Sequence, residues 1–104
     1  MRDIVREAVY TTIMTVSFRC RNTESLFLNR RTKIWSSIGK TAFRKLLMLN
    51  RAETLRDLLA PPGNRLEALK GDLLGNHSIR INDQWRVIFR WDKGAHDVEI
   101  VDYH

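Results

Sequence analysis

At 104 residues the chain is one domain by length, able to bury about two thirds of its unfolded surface around one core and too short for two. Hydrophobic residues make up 43% and charged residues 29%, which excludes a disordered or fibrous chain. No apolar run reaches the roughly eighteen residues of a membrane span, and charge interrupts Met1-Arg2-Asp3-Ile4-Val5-Arg6-Glu7. The single cysteine, Cys20, excludes an intrachain disulfide and a cysteine-built metal cage, so a cytoplasmic, reducing location is expected.

Net charge is +6, with a pI near 10.1, which favours a polyanionic partner. Residues 19–51 carry nine Arg or Lys against one acid, Glu24, whereas residues 61–104 carry six basic and seven acidic side chains. A run of that kind reads as a solvated helical face, a phosphate-binding surface or a dock for an acidic protein, and charge alone leaves the three open.

Residues 1–13 read as an N-terminal extension, with Ile4, Val5, Ala8 and Val9 able to form one apolar stripe, and residues 14–104 read as the domain. After Met14, Val16 and Phe18 alternate with Thr15 and Ser17 as a strand would. Thr23 is placed to cap a short helix through Leu28, and Asn29 to Ser37 forms a basic, irregular link. A longer helix is expected over Ile38–Ala52. Ala42, Phe43, Leu46, Leu47 and Leu49 line its core side, and Lys40, Arg44, Lys45 and Arg51 lie opposite. Thr54-Leu55-Arg56-Asp57 matches a capping box, and Pro61-Pro62-Gly63 ends that turn.

Leu66–Leu69 is a short strand candidate, followed by a glycine-bearing turn over Lys70–Gly75. Ile79 and Ile81 then alternate with Ser78, Arg80 and Asn82. Beyond Asn82-Asp83-Gln84, Trp85, Val87, Phe89 and Trp91 alternate with Arg86, Ile88 and Arg90, which predicts a hairpin. A turn at Lys93-Gly94 leads to a last strand, Val98–Tyr103. Helices followed by a meander predict an α+β fold, N-terminal helices packed on one face of a twisted, mainly antiparallel sheet.

No phosphate loop, dinucleotide fingerprint or helical histidine pair is present. The candidates are Lys70, Arg80, Arg86, Arg90 and the closing Asp102-Tyr103-His104. Singly, each arginine reads as a solvated strand residue and the tail as a polar chain end. A register setting Ile88 near Val101 would give Arg86, Arg90 and Tyr103 one shared face, where cations and a phenol suit phosphate chemistry. An imidazole at His104, attached to a rigid strand, would exchange protons near neutral pH.

Leu66-Glu67-Ala68-Leu69-Lys70-Gly71-Asp72, then Gly75, Ser78-Ile79, Asn82, Trp85-Arg86, Phe89 and Asp102-Tyr103-His104, strongly resemble HigB-type toxins of the RelE/ParE superfamily over about Met14 to His104. The resemblance implies a microbial-ribonuclease-like fold, a type II toxin–antitoxin pair and ribosome-dependent, metal-independent mRNA cleavage without a cofactor. It also implies a HigA-like helix-turn-helix antitoxin as partner, contact with operator DNA only through the antitoxin complex, and no membrane. Cleavage would proceed by attack of an RNA 2′-hydroxyl on the adjacent phosphate.

By that resemblance Lys70 and Arg86 stabilise the phosphate, His104 acts as acid or base, Tyr103 contacts the substrate and Asp102 orients the tail. Arg80 and Arg90 from the sheet, and Arg44 and Lys45 from the basic helix, are candidates for RNA contact. Many HigB toxins carry His-Pro-Leu-Lys where this chain has Glu67-Ala68-Leu69-Lys70. The related YoeB branch uses a Glu at the corresponding place as base, which nominates Glu67. ParE-like relatives inhibit DNA gyrase by binding, so gyrase inhibition and a degenerate toxin acting as a binding module are the alternatives.

Overall fold

The computed structural model describes residues 15–29 and 37–102. The extension expected at 1–13, most of the basic link, and the site candidates Tyr103 and His104 lie outside the described residues. In chain order come α1 (Arg21–Asn29), α2 (Gly39–Arg51), 3₁₀ turns at Leu55–Leu59 and Pro62–Asn64, and β1 (Glu67–Ala68). A third 3₁₀ turn (Gly71–Leu73), β2 (Asn76–Arg80), β3 (Trp85–Trp91) and β4 (Ala95–Asp102) follow. The strands form one antiparallel meander in the order β1-β2-β3-β4. The expected α+β layout is borne out, with α1 against β4 and α2 against β3.

In α2, Ala42, Leu46, Leu49 and Asn50 recur at helical spacing and are buried, while the neighbouring Phe43 and Leu47 are half-buried. Leu26 of α1 joins them, and the sheet answers with Ile79, Val87, Phe89, Val98 and Ile100. Withdrawing each such aliphatic or aromatic side chain from water contributes about 1.5–3 kcal/mol, which holds the two layers together. Phe18, Phe27 and Phe43 extend this contact as an aromatic row, with successive ring centroids 5.8 and 6.3 Å apart.

The capping box at Thr54–Asp57 is formed. The Asp57 carboxylate accepts the backbone N–H groups of Thr54 and Glu53 at 3.0 and 2.9 Å, and these bonds hold its carboxyl below the usual carboxylate range.

Three sequence expectations need correction. Thr23 does not cap α1; it lies inside the helix, fully buried, and its Oγ1 accepts the Ile100 N–H of β4 at 3.1 Å. A threonine tucked under an edge strand satisfies a donor that would otherwise be buried without an acceptor.

The second correction concerns residues 15–19, which lie alongside β4 in parallel rather than forming a named strand. They are tied by Val16 N–H to the Ala95 carbonyl, Val98 N–H to the Ser17 carbonyl and Arg19 N–H to the Val98 carbonyl, at 2.8, 3.1 and 3.0 Å.

Third, Ile88 faces Glu99, and it is Arg86 that faces Val101. An irregularity between Ile88 and Arg90 accommodates one extra residue of β4 near Asp97, whose φ is +53°. That bulge rotates the strand so that Val98 and Ile100 enter the core while Glu99 and Val101 turn away from it. The offset is two residues, so Arg86 and Val101 keep a common face, as alternation predicts.

The Thr23 bond can be tested. Thr23→Val keeps the shape but strands the Ile100 amide, and it is expected to cost about 1–3 kcal/mol in urea unfolding, with Thr23→Ser closer to wild type. Unfolding of Thr23→Val at the wild-type midpoint would show that the hydroxyl contributes nothing.

Candidate functional site

Because side chains alternate along a strand, the residues out of phase with the core share the face turned away from the helices: Glu67, Ser78, Arg80, Arg86, Ile88 and Arg90. Arg80 and Arg86 stand directly opposite each other across β2 and β3, as do Glu67 and Ser78 across β1 and β2. Like charges placed so are unfavourable unless anions or dipoles compensate them.

Both arginines are compensated. Arg86, with a side chain only 10% exposed, donates from Nη2 to the Arg65 carbonyl at 2.6 Å, and its Nη1 lies 3.7 Å from Glu67 Oε1. Arg65 holds a left-handed backbone, φ +45° and ψ +55°, immediately after the Pro62–Asn64 turn. Arg80 pairs with Asp83 in the connection to β3. That connection is closed by Asn82 Oδ1, which accepts the N–H groups of Gln84 and Trp85 at 2.8 Å each. Gln84 Nε2 donates in turn to Asp102 Oδ2 at 3.1 Å, tying the end of β4 to the same corner.

The sequence-nominated residues therefore divide. Glu67, Arg86 and Arg80 are brought together, whereas Asp102 pairs with Trp85, in phase with the core-facing residues of β3 and β4 and so on the other face of the sheet from Arg86. Lys70 is exposed and forms no hydrogen bond or ion pair with Glu67 or Arg86 among the described residues. It precedes a turn whose first residue, Gly71, takes φ +63°. Arg90 stands roughly 13 Å farther along β3 at about 3.3 Å per residue, with its Nε 3.5 Å from Asp97.

Lys45 departs from its expected place opposite the apolar stripe. It is half-buried and its Nζ donates to Asn64 Oδ1 at 2.6 Å, whereas Arg44 is exposed. Burial lowers the Lys45 pKa, and the positive charges of Arg44 and Arg80 lower it further. Lys45 thus lies within electrostatic reach of Arg80 on the sheet.

Asn64, which sequence reasoning did not single out, is fully buried and ties α2 to the loop over residues 58–60. Its Nδ2 approaches Met48 Sδ at 3.0 Å and the carbonyls of Leu58 and Ala60 at 3.2 and 3.4 Å. An Asn directly after Pro-Gly is the only signal, and it reads first as a turn residue. Among the described residues no group of three His, Cys, Asp or Glu could hold a metal ion, and no helix is long and apolar enough to cross a membrane.

Residues 17–104 match the family described as the RelE-like toxin of the type II toxin–antitoxin system HigB. The chain belongs to this family. Over 66 residues it is 50% identical to Toxin HigB-1 of Vibrio cholerae serotype O1, covering 64% of this chain and 70% of that protein. Over 73 residues it is 36% identical to an uncharacterized protein of Haemophilus influenzae, covering 70% of this chain and 72% of the other. It is a HigB-like toxin of a type II toxin–antitoxin pair, and an antitoxin is its implied partner.

The Lys45–Asn64 bond separates two neighbouring cations. Lys45→Met, which keeps the aliphatic stem but leaves Asn64 Oδ1 without its donor, is expected to lower stability by about 1 kcal/mol, whereas exposed Arg44→Gln should change it by about 0.5 kcal/mol or less. Equal thermal shifts in the two variants would contradict this assignment.

Proposed function

We propose that this HigB-like toxin is a ribosome-dependent mRNA endonuclease acting in the cytoplasm by metal-independent attack of an RNA 2′-hydroxyl on the adjacent phosphate. The observation that carries the reading is the Glu67–Arg86 pair, an acid beside a nearly buried guanidinium on the sheet face away from the helices.

Glu67 removes the proton from the 2′-hydroxyl, whose oxygen forms a bond to phosphorus while the bond from phosphorus to the 5′ oxygen breaks. His104 returns a proton to that leaving oxygen, giving a cyclic 2′,3′-phosphate and a 5′-hydroxyl end. Arg86, with Arg80 beside it and Lys70 from the adjoining loop, stabilises the negative charge developing on the phosphoryl oxygens. Tyr103 stacks on or hydrogen-bonds to the substrate, and Asp102 orients the tail. Arg44, Lys45 and Arg90 extend the cationic surface toward RNA.

Such a sparsely furnished site depends on the ribosome to position the message, which supplies the proximity that the toxin lacks. The neutralising partner in this reading is a HigA-like helix-turn-helix antitoxin, and operator DNA is contacted only through the antitoxin complex.

Induced expression without antitoxin is expected to stop growth and to cut mRNA within translated frames. Arrest with intact mRNA and altered plasmid supercoiling would favour the ParE-like alternative, and normal growth would favour a binding module. On purified ribosomes, Glu67→Gln is expected to slow cleavage by about 10²–10⁴-fold, the usual loss for a general base. Its melting temperature should barely move, because an ion pair with one half-exposed partner contributes only about 0–1 kcal/mol. Cleavage by Glu67→Gln at the wild-type rate, with His104→Ala impaired, would move the acid–base work to the C-terminal tail.

A further inference from the structure

Ser78 is fully buried in the middle of β2, facing Glu67 on one side and Ile88 on the other. Among the described residues its Oγ has no hydrogen-bond partner. A buried hydroxyl without a partner costs free energy that an alanine would not, so packing alone gives no reason for the oxygen.

The surroundings offer a reason. Residues directly opposite in an antiparallel pair hold their Cβ atoms about 5 Å apart, which brings a serine hydroxyl within a side-chain rotation of a facing glutamate. Among the described residues, the one polar contact of the Glu67 side chain is its approach to Arg86 Nη1 at 3.7 Å, longer than a hydrogen bond. Arg86 is the group to which an RNA phosphate would bind, since guanidinium–phosphate bonds are charge-assisted and bidentate. When phosphate draws Arg86, the carboxylate loses the contact that orients it, at the moment when it must face a 2′-hydroxyl. The Ser78 O–H is the buried donor directly across the strand pair.

We propose that Ser78 is a positioning residue that takes the Glu67 carboxylate as a hydrogen-bond acceptor once substrate phosphate engages Arg86. The proposal rests on the reading of Glu67 as the base.

The test compares Ser78→Ala, Ser78→Cys, Glu67→Gln and the Glu67→Gln/Ser78→Ala double variant in cleavage of ribosome-bound mRNA. Ser78→Ala is expected to lower kcat about tenfold with KM little changed and with unfolding at or above the wild-type midpoint, because a structural hydroxyl of this kind is dispensable. Ser78→Cys, a weaker donor of similar shape, should fall between. Adding Ser78→Ala to Glu67→Gln should cost nothing further if the serine acts through the glutamate.

A crystal structure with a 2′-deoxy oligonucleotide bound supplies a readout independent of cleavage, in which Ser78 Oγ is expected within about 3 Å of a Glu67 carboxylate oxygen. Absence of that bond overturns the proposal, as does wild-type kcat in Ser78→Ala. If Glu67→Gln is impaired while Ser78→Ala is not, only the role of the serine falls. If Glu67→Gln cleaves normally, the base assignment falls and the proposal with it.

Discussion

A guanidinium withdrawn from water must be given acceptors, and the arrangement of the site follows from meeting that requirement at Arg86. Its position on β3 puts it across from a second arginine, Arg80, so the sheet concentrates positive charge where the side chain has the least access to solvent. The acceptors arrive from the segment leading into β1. The Arg65 carbonyl reaches Arg86 from a left-handed backbone position, and two residues later Glu67 begins the edge strand that brings its carboxylate alongside. A two-residue strand is a weak element by pairing alone. The Glu67–Arg86 contact adds only a weak hold there, about 0–1 kcal/mol.

The same requirement links the two layers. The backbone that delivers the Arg65 carbonyl is anchored one residue earlier by Asn64, whose amide bonds to the carbonyls of Leu58 and Ala60 and whose oxygen accepts the Lys45 ammonium from α2. Packing against the core, capping of the loop and compensation of Arg86 are consecutive steps along residues 58–67, so a change in any of them is felt at the site. The lowered pKa of Lys45 is the electrostatic trace of this closeness, since burial and the neighbouring Arg44 and Arg80 all disfavour its charged form.

Period-2 and period-3.6 patterns carried much of this architecture in advance. The hairpin of Ser78–Arg80 with Trp85–Trp91, the helix over Ala42–Leu49 and the capping box at Thr54 are local features, and each side chain in them reports its own environment. The face shared by Arg86 and Arg90 was legible for the same reason, since alternation fixes the face even when the register is misjudged, whereas Glu67 was nominated only by the resemblance. What escaped depends on partners distant in sequence. Thr23 reads as a cap because the strand amide it serves lies 77 residues away, and Lys45 reads as solvated because Asn64 comes from a loop without periodicity. The bulge near Asp97 shifted the register of β4 because an αL position at a non-glycine residue leaves no reliable mark in the sequence.

Compensating Arg86 internally bears on the proposed mechanism. An Arg86 already bonded to a carbonyl and facing a carboxylate is held in place before any substrate arrives, which avoids the entropy of ordering a long side chain. The Arg65 and Glu67 acceptors differ in how readily they can be displaced. The Arg65 carbonyl is a short bond to the backbone and keeps one edge of the guanidinium fixed, while Glu67 sits at 3.7 Å with a half-exposed side chain and can yield to a phosphate. In the proposed mechanism, a site so divided would keep its cation oriented while exchanging a weakly held anion for the anion of the substrate, leaving the displaced carboxylate beside the phosphate to accept a proton.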